Sequence, residues 1–132
     1  MKRKILIVED NIGLSQMQKD WFAQAGYDAV TAMNEPIARS LIRKTAFDLI
    51  LSDVRLPEGD GISLLEWLRK EKKDIPFIIT TEYVSVPDVV RTIKLGAIDY
   101  LPKPIHREHL LELAEDVFQP CLLYTSDAAD DK

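Results

Sequence analysis

Short apolar runs alternate along this chain with segments whose apolar residues recur every three or four positions, and the alternation continues almost from end to end. Ile5 to Val8 is a continuous apolar run rich in β-branched residues, which suits a strand covered on both faces. Asn11 to Ala25 reads as a helix, with Asn11 as its N-cap, Ile12, Met17, Trp21 and Phe22 along its apolar stripe, and Gly26 as its stop. Ala29 to Thr31 is a short second strand. Asn34 caps a second helix, with Pro36 in its first turn and Ile37, Leu41 and Ile42 on one face.

Phe47 to Ser52 reads as the third strand, and Asp53 is the first charged residue beyond it. Gly59 and Gly61 mark a loop, after which Ile62, Leu65 and Leu68 set the period of a third helix. Pro76 to Thr80 is the fourth strand. Ser85, Pro87 and Asp88 open a fourth helix that Gly96 closes, Ile98 to Leu101 is a fifth strand, and Arg107 to Phe118 is the last helix. Strand-helix units of this length predict an α/β fold: a doubly wound parallel sheet with right-handed crossovers and helices on both faces.

With 132 residues, one core has to carry the whole chain. The net charge of -5 argues against a surface that neutralises nucleic-acid phosphates, so no direct contact with nucleic acid is expected. No apolar run approaches the roughly 20 residues of a membrane helix. Glu9 and Asp10 end the first apolar run where a signal peptide would continue, and the expected location is cytoplasmic. The stretch from Cys121 to Asp131 reads as a translated sequencing-library adapter. Residues 120–132 are therefore set apart as a non-native, poorly ordered tail, and the folded domain is assigned to 1–119.

Ligands of such folds sit outside the carboxyl ends of the strands, which makes the residues just past each strand the candidates. They are Glu9 and Asp10 after the first, Asp53 after the third, Thr80 and Thr81 after the fourth, and Lys103 after the fifth. Taken singly, each is an ordinary solvated acid, turn threonine or surface lysine; together they form a set. Converging carboxylates repel one another unless a cation sits among them, and a few hard oxygen ligands suit Mg²⁺. Phosphoryl transfer needs an in-line nucleophile, a metal and fixed donors for the other oxygens. Asp53 supplies the nucleophile, Glu9 and Asp10 the metal ligands, Lys103 and a threonine hydroxyl the donors.

The acidic pair Glu9-Asp10, the loop from Ser52-Asp53-Val54-Arg55-Leu56-Pro57 to Asp60-Gly61, and the segment Lys94 to Pro104 resemble the receiver domains of bacterial two-component response regulators. The likeness spans about residues 3 to 118. It implies a flavodoxin-like, five-stranded sheet of order 2-1-3-4-5, like the chemotaxis member of this family. It also implies that a sensor histidine kinase phosphorylates Asp53, that Glu9, Asp10, Asp53 and the main-chain carbonyl of Arg55 hold Mg²⁺, and that Lys103 pairs with the phosphoryl group. The Lys103-Pro104 bond matches the family's cis peptide. A gapless count back from Lys103 makes Thr81 the switch hydroxyl and Tyr100 the switch aromatic. Their movement would remodel the face of the fourth helix, fifth strand and fifth helix, where a homodimer would form. The chain itself would be no enzyme beyond its own phosphoryl transfer and autodephosphorylation.

Glu82, after Thr81, departs from the small residue usual there, and its charge opposes an incoming phosphate unless it points away or pairs with a base such as Arg55. Using Thr80 as the switch hydroxyl, with Thr81 as its small neighbour, avoids that clash. Arg55, Glu82 and Tyr83 are accordingly expected to modulate acyl-phosphate lifetime. The Val-Arg-Leu-Pro loop and the Tyr83-Val-Ser-Val86 stretch look most like receivers of sigma-54-dependent, nitrogen-regulation-type activators, whose output domain regulates transcription. Two other readings stand beside this one. A pseudo-receiver would act by interaction alone, whereas a haloacid-dehalogenase-type phosphatase needs a second Asp where this chain has Arg55.

Overall fold

The computed structural model describes residues 2–119, so the tail set apart from the sequence lies outside the described residues. Strands and helices alternate without exception: β1 (Lys4–Val8), α1 (Ile12–Gln24), β2 (Asp28–Ala32), α2 (Glu35–Lys44), β3 (Leu49–Asp53), α3 (Gly61–Lys70), β4 (Phe77–Thr81), α4 (Val86–Lys94), β5 (Asp99–Pro102) and α5 (Arg107–Phe118). All four strand pairings are parallel, and the order is β2-β1-β3-β4-β5. This is the flavodoxin-like α/β sheet that the resemblance implied. β3 lies in the middle, bordered by β1 and β4, and its five residues are all buried.

Alternation along the strands splits the interior into two layers. Leu6, Val8, Ile50, Phe77 and Ile79 point to one face, where Ala38 and Ile42 of α2 and Ile62, Leu65 and Leu68 of α3 cover them. Ile5, Ile7, Leu49, Leu51 and Ile78 point to the other, against Phe22 of α1 and Leu110 and Ala114 of α5. Side-chain oxygens that accept from the third residue on cap four helices at Asn11, Asn34, Asp60 and Ser85.

Two expected helix faces differ from those observed. In α1 the buried positions are Ser15, Gln18 and Phe22, while Ile12 and Met17 are exposed. In α2 they are Glu35, Ala38 and Ile42, with Ile37 exposed. Phe22 and Ile42 hold their expected inward positions, and polar or small residues, Ser15 and Gln18 in α1 and Glu35 and Ala38 in α2, share the buried faces with them.

Candidate functional site

Four parallel strands stop at the same edge, and their last residues set the chemistry. β1 ends at Val8 and delivers Glu9 and Asp10; β3 ends on Asp53, whose register partner in β4 is Thr80. Carboxylate oxygens of Glu9, Asp10 and Asp53 lie within 4.8 Å of one another. Lys103, just past β5, donates from Nζ to Glu9 Oε1 at 2.8 Å and to Asp53 Oδ2 at 3.0 Å. Asn11 N–H donates to the second Glu9 oxygen at 3.1 Å. The peptide bond from Lys103 to Pro104 is cis.

Burial separates these acids: Glu9 and Asp53 are buried and Asp10 is exposed. Removal from water raises the Glu9 pKa above the ordinary carboxylate range, partly offset by hydrogen bonds from Lys103 and Asn11. For Lys103, burial works against the charged form, yet hydrogen bonds to Glu9 and Asp53 outweigh it and the ammonium pKa is raised. Lys103 is thus a firmly charged group between two acids. Three carboxylates against one ammonium leave a surplus of negative charge and of hard oxygen donors, which fits a small divalent cation.

The loop from Val54 to Asp60 is tied at its base by a bridge between Arg55 and Asp60 and by Gly61 N–H donating to Val54 O at 2.9 Å. Close approach requires the glycine at 61. A Cβ there would lie 2.3 Å from the Asp53 carbonyl oxygen and 2.8 Å from Ser52 Oγ.

Thr81 and Thr80 have different surroundings. Thr80 Oγ1 donates to Ser52 O at 3.5 Å. Thr81 Oγ1 donates to Tyr83 O at 3.0 Å and accepts from Tyr83 N at 3.1 Å, so its hydroxyl is held by the β4–α4 connection. The Arg55 guanidinium does not pair with Glu82; it lies 5.1 Å from the centre of the Tyr83 ring, while Glu82 is exposed. Tyr100 packs against the layer that holds Phe77 and Ile79, and its buried hydroxyl has no hydrogen-bond partner among the described residues.

The family model of the response regulator receiver domain matches residues 5–115. The chain belongs to that family. This receiver is 32% identical over 112 residues to the response regulator protein PilR of Pseudomonas aeruginosa, covering 85% of this chain and 25% of that protein. It is 36% identical over 118 residues to the transcriptional regulatory protein ZraR of Salmonella typhimurium, covering 86% and 26%. The receiver therefore spans about a quarter of the length of the curated relatives it matches. Among solved structures, the non-phosphorylated HemR receiver domain from Leptospira biflexa superposes with a TM-score of 0.82 at 37% identity, over 90% of this chain and 98% of that one. A CheY-like receiver domain protein from Methanospirillum hungatei superposes at 0.84 with 30% identity, over 89% and 94%.

Among the described residues, no helix of the receiver is long and apolar enough to cross a membrane. One participant at the edge of the site was missed by sequence reasoning: Glu35, a buried carboxylate in the first turn of α2 that touches the loop after β3. An acid immediately after the cap Asn34 was its only trace in the sequence.

Proposed function

We propose that this receiver is a phosphorylation-dependent switch in which Asp53 takes a phosphoryl group from the phosphohistidine of a sensor histidine kinase. One observation carries the reading: Lys103 bridges Glu9 and Asp53, and Asp10 lies beside them, at the carboxyl edge of the sheet. Glu9, Asp10, Asp53 and the Arg55 carbonyl would hold Mg²⁺, which when bound offsets the negative charge of the phosphoryl oxygens. An Asp53 oxygen attacks phosphorus, the bond from phosphorus to the kinase imidazole breaks with its electron pair going to nitrogen, and an acyl phosphate results. Lys103 stays protonated and pairs with a phosphoryl oxygen. The receiver catalyses only its own phosphorylation and the hydrolysis of its own acyl phosphate by water, and is no enzyme toward other substrates.

Thr81 leaves Tyr83 for the phosphate, and the segment after β4 follows it; Tyr100 responds beneath α4. Arg55, Glu82 and Tyr83 tune how long the acyl phosphate lasts, because they stand on the two loops that flank Asp53. The remodelled face of α4, β5 and α5 pairs with a second copy, a role that the exposed Val86, Val90 and Ile93 of α4 suit. Output passes to a transcription-regulating segment of a longer cytoplasmic protein, as the names of the relatives suggest.

Incubation with acetyl phosphate and Mg²⁺ tests the reading, with mass spectrometry on the wild-type chain and on Asp53→Ala. Addition of one phosphoryl group to the wild type alone is the expected result. An unmodified wild type would leave an interaction module that works without phosphorylation.

A further inference from the structure

Glu35 is a carboxylate at only 4% exposure that no step described so far uses. Its Oε1 accepts from the backbone N–H of Asp60 at 3.0 Å. Its Oε2 accepts from Ser63 Oγ at 3.1 Å and from Arg39 Nε at 2.8 Å, with a second Arg39 nitrogen on the same oxygen. The Glu35 backbone N–H donates to Glu58 O at 3.1 Å, so side chain and main chain grip the same loop. Arg39, the counter-charge, is itself seated 5.0 Å from the centre of the Trp67 ring on α3.

The loop side is built to receive this carboxylate. Gly59 has φ +77, and a Cβ there would stand 2.2 Å from Glu35 Oε1 and 2.6 Å from Glu35 Cβ. Any side chain at 59 would drive the carboxylate out. Asp60, whose N–H is gripped, is the residue that bridges Arg55, and its own carboxylate caps α3 through Ser63 N at 2.6 Å. From Glu35 to the expected metal-binding carbonyl the path is therefore two contacts long: Glu35 to Asp60, Asp60 to Arg55.

We infer that Glu35 is a positioning residue for the metal site: it latches α2 to the β3–α3 loop and holds Arg55 where its carbonyl serves the divalent cation. The inference rests on the proposed Mg²⁺ site. A desolvated carboxylate with four donors makes a stiff joint, since every donor left behind by its loss would be partly buried and unpaired. Residues that orient the groups binding a metal typically change its affinity by 10- to 100-fold when lost.

The test compares wild type, Glu35→Gln, Gly59→Ala and Phe22→Leu. Glu35→Gln keeps the shape but turns an amide toward donors; Gly59→Ala attacks the joint from the loop side. Phe22→Leu lowers stability in the opposite layer and serves as the control. Two quantities are read: Mg²⁺ affinity by calorimetry, and hydrogen exchange of the Asp60, Gly61 and Ser63 amides in metal-free protein. Both latch variants are expected to bind Mg²⁺ about tenfold more weakly and to exchange those amides faster, with Phe22→Leu unchanged in both. Wild-type Mg²⁺ affinity with wild-type exchange in the latch variants would overturn the inference alone. An equal loss of affinity in Phe22→Leu would also overturn it. A wild-type chain that binds no Mg²⁺ would take down the reading of the site and this inference together.

Discussion

Helices α3 and α4 follow one another on the same face of the sheet, yet the chain holds them in opposite ways. α3 buries Gly61, Ile62, Leu64, Leu65 and Leu68, and its first turn is pressed onto Asp53. α4 buries only Thr92 and turns Val86, Val90 and Ile93 to the outside. What secures α4 is concentrated at its far end, where the C-cap Leu95 packs against the core and polar contacts gather. Arg69 of α3 donates to Leu95 O at 2.7 Å and to Gly96 O at 3.4 Å, and also to Lys73 O and Ile75 O. Nearer its middle, Arg91 reaches Glu66 of α3 at 2.5 Å. Apolar burial fixes an element over its whole length, whereas a few hydrogen bonds at one end leave the other end free to swing. The free end of α4 is the one next to Thr81.

The contrast breaks most clearly in the core. Leu65→Ala in α3 is expected to cost about 2–5 kcal/mol, and Val90→Ala in α4 no more than about 0.5 kcal/mol, both by urea denaturation. Equal losses would mean that α4 is packed as firmly as α3. Next in size, Arg69→Ala removes a charged donor from four carbonyls and is expected to cost about 2 kcal/mol. Hydrogen exchange should then rise at the carboxyl end of α4 while the amides of α3 from Ile62 to Leu65 stay protected. The smallest effect belongs to Arg91→Ala. Its denaturation midpoint should match that of the wild type, because exposed ion pairs contribute little, and only the exchange of amides in the middle of α4 should quicken.

Much of this was legible in the sequence, for reasons that the elements make plain. The apolar runs marked all five strands, and the caps Asn11, Asn34 and Ser85 began helices where expected. Strand ends were less visible. Backbone pairing carries β3 onto Asp53 and β4 onto Thr81, one residue past the expected strand end in each case, because ladder hydrogen bonds do not depend on side-chain polarity. The inward faces of α1 and α2 were misread where the polar residues Ser15, Gln18 and Glu35 are buried. At the site, Glu9, Asp10, Asp53 and Lys103 could be read because each follows a strand. Glu35 could not, because it acts through Asp60, 25 residues on, and only folded geometry brings the two together.

Asp53 ends the central strand, with two strands on either side and helices above and below. A group mounted there stands on a strand whose residues are all buried. Force generated at its carboxylate has little to push against within the strand, so it has to spend itself in the neighbouring loops. In the proposed switch, stiffness at Asp53 is thus what would let a small chemical event be felt as movement elsewhere.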